Sequence, residues 1–95
     1  MDMEYLQAIY DTRKSFYNKA MVETIKNTHE LTQDLYSYGV LVASIVWTFE
    51  KGTRIYKYFG KYSQTTTRHQ KEFFKQYGLT DNEIKKLFKE GTLEV

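Results

Sequence analysis

Val40 to Phe49 alternates between two faces. Leu41, Ala43, Ile45, Trp47 and Phe49 make a wholly apolar one; Val40, Val42, Ser44, Val46 and Thr48 make a half-apolar one. β-branched and aromatic residues dominate, so the run predicts a strand covered on both sides. Lys51-Gly52 follows as a hairpin turn, Gly accepting the positive φ needed there. Arg54 to Phe59 returns as the second strand, with Ile55, Lys57 and Phe59 on one face and Arg54, Tyr56 and Tyr58 on the other.

Upstream the apolar period is helical. Residues 2–36 contain no Gly or Pro. Apolar positions recur at Tyr5, Ile9, Phe16 and Ala20, and at Leu6, Tyr10, Tyr17, Met21 and Ile25, with a break around Arg13 and Lys14. That spacing predicts a helix over about 2–26. Asn27 or Thr28 then caps a second short helix carrying Leu31 and Leu35, or a single long helix covers the whole stretch.

Downstream, Gly60-Lys61 turns the chain, and Ser63 or Thr65 caps a helix that runs to Tyr77 and stops at Gly78. Thr80-Asp81-Asn82-Glu83 is a capping box for a last helix that packs Ile84, Leu87 and Phe88 and ends at Gly91. The expected fold class is α+β in one domain: a helical region over 1–36, then a ββαα unit over 37–95 with a minimal antiparallel sheet. Two strands are marginal alone. A third is expected at Tyr36, at Leu93–Val95, or from a second copy of the chain, which makes a homodimer one way to complete the sheet.

Composition narrows the class. In 95 residues the hydrophobic share is 41% and the aromatic share 17%, so rings must fill much of the core. There is no Cys, which removes disulfides and thiolate metal sites and fits a reducing cytoplasm. No apolar run reaches the ~18 residues of a transmembrane helix, and the start Met1-Asp2-Met3-Glu4 lacks the basic flank of a signal peptide. A cytoplasmic protein with no membrane partner is expected.

The net charge of +2 hides an asymmetry. Residues 51–79 hold seven basic groups (Lys51, Arg54, Lys57, Lys61, Arg68, Lys71, Lys75) against the single acid Glu72. Aromatic rings are interleaved among them, and the hydroxyl run Ser63-Gln64-Thr65-Thr66-Thr67 sits at the centre. Cations, π-faces and hydroxyl donors suit a phosphate-bearing partner. The expected binding set is Arg54, Lys57, Lys61, Tyr62, Ser63, Thr65, Thr66, Arg68, His69 and Lys71, gathered on one positive surface around the helix start. Against this stand two plainer expectations: Ser63 to Thr67 serve as cap and backbone-bonding residues, and Tyr56 and Tyr58 pack across strands.

The two histidines, His29 and His69, have no ligand-spaced partner, so neither a metal site nor a cofactor is expected. No carboxylate is placed to orient His69 beside Ser63 or Thr66, and Glu72 at i+3 from His69 suits a surface pair. An enzyme is therefore disfavoured.

Two segments, Ser37-Tyr38-Gly39-Val40-Leu41-Val42-Ala43 and Lys61-Tyr62-Ser63-Gln64-Thr65-Thr66-Thr67-Arg68-His69, together resemble a family of small uncharacterised proteins encoded by phages and plasmids of low-GC bacteria. The resemblance covers residues 37–77. It implies a mobile-element accessory protein in a bacterial cytoplasm. The expected function is nucleic-acid binding through the basic, aromatic face. The alternative is inhibition of a host nucleic-acid enzyme or an anti-CRISPR-like action on a host-defence complex.

Overall fold

In the computed structural model, which describes residues 2–12 and 15–95, the first part of the chain is built of strands. Met1, Arg13 and Lys14 lie outside the described residues, and so does the predicted break in the helical stripe. The strands are β1 (Asp2–Tyr5), β2 (Ala20–Lys26), β3 (Glu30–Ser37), β4 (Val40–Thr48) and β5 (Thr53–Tyr58). Helices α1 (Gln64–Gln76) and α2 (Asp81–Glu90) follow, and β6 (Thr92–Glu94) closes the chain. All six strands form one antiparallel sheet in the order β1-β2-β3-β4-β5-β6.

The expected N-terminal helical region is thus overturned. Tyr17 and Asn18 both take positive φ, 51° and 60°, and the Lys19 N–H donates to Phe16 O at 3.0 Å. That is a tight mirror-image turn, which no helix can pass through. Beyond it, Ala20 to Lys26 alternates, with Ala20 and Val22 buried and Met21 and Glu23 half-exposed. Val22, outside the helical set, stands two residues from Ala20, so the local period alone did not decide. The ladder to β3 over seven residue pairs did. Asn27 does accept hydrogen bonds locally, from the His29 and Glu30 amides, but it does so in the β2–β3 turn and not at a helix start.

The C-terminal half follows expectation more closely. The β4–β5 hairpin is present, although its loop is the four residues Phe49 to Gly52, closed by the Gly52 N–H on Thr48 O at 2.9 Å. Ser63 caps α1, and Thr80 and Glu83 complete the capping box of α2. Gly91 ends α2 in the left-handed region. The strands expected near Tyr36 and at Leu93–Val95 are β3 and β6.

One irregularity repositions a predicted face. The β3–β4 register slips between Leu35 and Tyr36, so Leu35 faces Ala43 while Tyr36 faces Leu41. Val42 is the extra residue of this bulge. Val42 and Ala43 are therefore both buried, while Leu41 is exposed. The Val42 carbonyl accepts from Gln70 Nε2 at 3.0 Å, and the same amide donates to Gly60 O at 3.1 Å. The bulge thereby fastens α1 to the sheet.

Both helices pack on one sheet face. Val22, Leu35, Ala43, Ile45 and Tyr56 meet Phe73, Phe74, Leu79, Ile84 and Leu87 in a single core. Ile45 is fully buried, as expected; Trp47 only borders the core, with the Arg54 guanidinium 4.7 Å above its ring.

Candidate functional site

The two segments that carry the family resemblance meet in space. Ser37 ends β3, and its Oγ lies 2.7 Å from His69 Nδ1 and 2.9 Å from Thr66 Oγ1, both in the first turns of α1. Ser63 Oγ accepts the Thr66 N–H at 3.1 Å and donates to Thr66 Oγ1 at 3.3 Å. Ser37, Thr66 and His69 are all buried. The His69 ring meets the edge of Phe16 at 4.7 Å and lies 5.9 Å from Tyr38. Its Nε2 is buried with no hydrogen-bond partner among the described residues.

Most of the hydroxyl run therefore serves the fold. Ser63 is a cap, Thr66 belongs to the buried network, and Thr67 Oγ1 bonds back to Ser63 O at 3.0 Å. Thr65 is exposed and lines a cavity of about 310 Å³ above His69. Phe16, Tyr17 and Tyr38 give this cavity aromatic walls, and Lys19 and Arg68 give it positive charge. Tyr17 and Tyr38 both sit at positive φ, 51° and 52°, in two-residue turns. Bulky side chains rarely take this conformation. Here it stands the two phenol rings out beside the cavity, 75% and 56% exposed.

Arg68 also lines a second cavity, of about 270 Å³, with Lys71 and Lys75. These cations follow one another along α1 at i, i+3 and i+7. Arg68 approaches Asp11 at 4.0 Å and Lys75 pairs with Asp81 at 3.0 Å. Lys61 and Tyr62 are exposed just before the cap.

The other predicted members of the site are elsewhere. Arg54 lies over Trp47 and Tyr56 beside Gly78, at the C-terminal end of α1. Lys57 points to the opposite sheet face, as strand alternation requires between neighbours of Tyr56. The expected single positive surface is thus corrected: Thr65 and Arg68 line the cavity above His69, Arg68 and Lys71 line the second one, and Arg54 and Lys57 belong to neither. Tyr56 and Tyr58 are not base platforms. Tyr56 is buried and its hydroxyl donates to Tyr77 O at 2.6 Å, and Tyr58 stacks on Phe88 at 4.2 Å.

Glu72 is not a surface partner of His69. Its Oε1 is buried and accepts the successive backbone N–H groups of Ile9, Tyr10 and Asp11 at 3.2, 2.8 and 2.9 Å. Its Oε2 accepts from Gln76 Nε2 at 2.7 Å. Consecutive amides form an anion nest, and this carboxylate fills it.

Sequence reasoning missed Phe16, Tyr17, Lys19 and Tyr38 as members of the site. The available signals were Gly39 after Tyr38 and Asn18 after Tyr17, since Gly and Asn tolerate the positive φ of a tight turn.

Burial pushes the His69 imidazole below its ordinary value, against a smaller upward pull from Asp11. The unfolded chain then takes up this proton before the folded one. The stability tied to neutral His69 is present above its unfolded value near 6.5 and is lost as pH falls through the lower folded value. Urea midpoints taken from neutral pH to about pH 5 should therefore drop more steeply for the native protein than for His69→Gln. Equal slopes would place His69 outside the acid response.

A six-stranded antiparallel sheet with two helices on one face, carrying a cationic, tyrosine-walled cavity at a helix start, defines an α+β domain with a ligand-sized surface site. The chain belongs to the family of unknown function DUF8033, whose model matches residues 5–90. No curated protein and no solved structure matches it. Among the described residues, no helix is long and apolar enough to cross a membrane.

Proposed function

We propose that the protein is a non-enzymatic module that binds single-stranded nucleic acid on its helical layer, in keeping with an accessory role on a phage or plasmid. The observation that carries this is the cavity beside the start of α1, where exposed Tyr17 and Tyr38 stand next to Lys19 and Arg68. Bases stack on tyrosine faces in any sequence, and neighbouring cations hold the phosphates. Lys61 before the cap and Lys71 and Lys75 further along α1 extend the positive track over several phosphates. Ser37 argues against nucleophilic catalysis. It is 2% exposed and lies on the inner side of His69, so no substrate in the cavity reaches its hydroxyl.

Fluorescence anisotropy with a labelled single-stranded oligonucleotide, repeated across salt concentrations, tests the proposal. Arg68→Ala and Lys19→Ala should each weaken binding and flatten the log–log salt slope by about 0.7, one phosphate's share for a single strand. Tyr38→Ala should weaken binding with the slope unchanged, because it removes stacking and no charge. Lys51→Ala, in the exposed β4–β5 loop, should change neither. No salt-dependent binding by the native protein would overturn the proposal. If Arg68→Ala instead weakens only a complex captured from nuclease-treated bacterial lysate, the cationic track serves an acidic host protein.

A further inference from the structure

The helices leave the second sheet face bare, and that face is not polar. Cross-strand register places Tyr5, Met21, Tyr36 and Leu41 in one row. Ile25, Val46 and Ile55 lie in a second row, with Thr32 between them and Glu94 of β6 at its end. Tyr5, Ile25 and Leu41 are 47%, 39% and 38% exposed. An antiparallel sheet with one solvated face ordinarily carries polar residues there.

Between the two apolar rows runs a charged one: Glu23, Asp34, Ser44 and Lys57, on β2, β3, β4 and β5 in turn. Its acids lie on one side of β4 and its cation on the other. Ser44 Oγ donates to Asp34 Oδ1 at 2.7 Å. Lys57 has no ion pair among the described residues, since two strand spacings, about 10 Å, separate it from Asp34.

We propose that a second copy of this chain packs on the bare face, about a two-fold axis running along β4. Such a rotation lays β5 of one copy over β3 of the other without moving any residue along the strand direction. Each Lys57 then stands opposite the partner's Asp34, in the same row. Leu41 and Val46 each meet their own symmetry mate, and Ile55 lies over the partner's Thr32. Sheets packed face to face lie about 10 Å apart, a gap that a lysine and an aspartate span together. The Asp34–Lys57 pair is self-complementary about this axis, as an isologous interface requires.

Sedimentation velocity on the full chain, without nucleic acid, tests this independently of the proposed function. The native protein should sediment as a dimer at micromolar concentration. Lys57→Glu sets like charges against each other and should weaken the dimer by about tenfold or more. Asp34→Lys should do the same, and the double exchange should restore most of the affinity, because it rebuilds the pair with its signs reversed. Lys57→Met keeps the length of the side chain and removes only its charge, so it carries the same test at smaller amplitude if Lys57→Glu fails to fold. Lys85→Glu, on exposed α2, should leave the dimer unchanged. A monomer at all accessible concentrations would overturn the proposal. So would a dimer indifferent to Lys57→Glu and Lys57→Met, or one that the double exchange does not rescue.

Discussion

Phe74→Ala is expected to destabilise the protein by about 3–5 kcal/mol, the usual cost of truncating a large aromatic side chain in a core. Phe74 is fully buried. Its ring lies 5.5 Å from Phe73, 6.2 Å from Tyr56 and 6.3 Å from Phe88, so it touches α1, β5 and α2 at once. Removing it opens a void that three rigid rings cannot all close upon. The loss is large against the ~5–15 kcal/mol by which domains of this kind are stable. Phe74→Leu should lose clearly less, because most of the volume stays. Urea denaturation of the three proteins checks the order. Equal midpoints would mean that the helices do not pack on the sheet through this residue.

Glu72→Ala is expected to cost on the order of 3 kcal/mol, although it removes no apolar contact of the core. One carboxylate satisfies three consecutive amides of the β1–β2 connection and the Gln76 side chain. Gln76 also donates to Gln7 O at 2.6 Å, so the connection is held to α1 at two places. Bonds to an ionised acceptor are the stronger kind. Without the acceptor, the amides of Ile9, Tyr10 and Asp11 must find water or stay unpaired. Hydrogen exchange gives the specific readout: these three amides should lose protection in Glu72→Ala, and partly in Glu72→Gln, while β3 and β4 amides keep theirs. Unchanged protection would show that the nest does not depend on Glu72. Phe16, Tyr17 and Lys19 belong to the same connection, so a loosened β1–β2 segment should also blur the cationic cavity.

The candidate site was legible only in pieces. Arg68, Thr65 and Lys71 stood out because basic and hydroxyl residues cluster in that segment, and they do share one layer of the structure. Lys57 and Arg54 stood out for the same reason, yet alternation sends Lys57 to the bare sheet face and Arg54 to the far end of α1. Sequence proximity measures charge density along the chain, whereas a surface is set by which side of an element each residue takes. Tyr17 and Tyr38 are 21 residues apart, and two tight turns bring them to one cavity.

Local chemistry by itself determined the C-terminal elements. Ser63 and Thr80 start helices because their hydroxyls satisfy amides within three residues, and Gly91 stops one because it tolerates the left-handed region. Val40 to Thr48 forms a strand because β-branched and aromatic residues favour it over a helix. Such interactions need nothing from distant parts of the chain. The N-terminal third was decided by tertiary structure. Its apolar spacing is compatible with both a helix and a strand, and only the hydrogen-bond ladder from β2 to β3 and onward to β4 selects the strand. The burial of Glu72 and the Ser37–His69 bond were decided there too, since each joins residues more than thirty positions apart. No local period encodes such a contact; it exists only once the helices have closed onto the sheet.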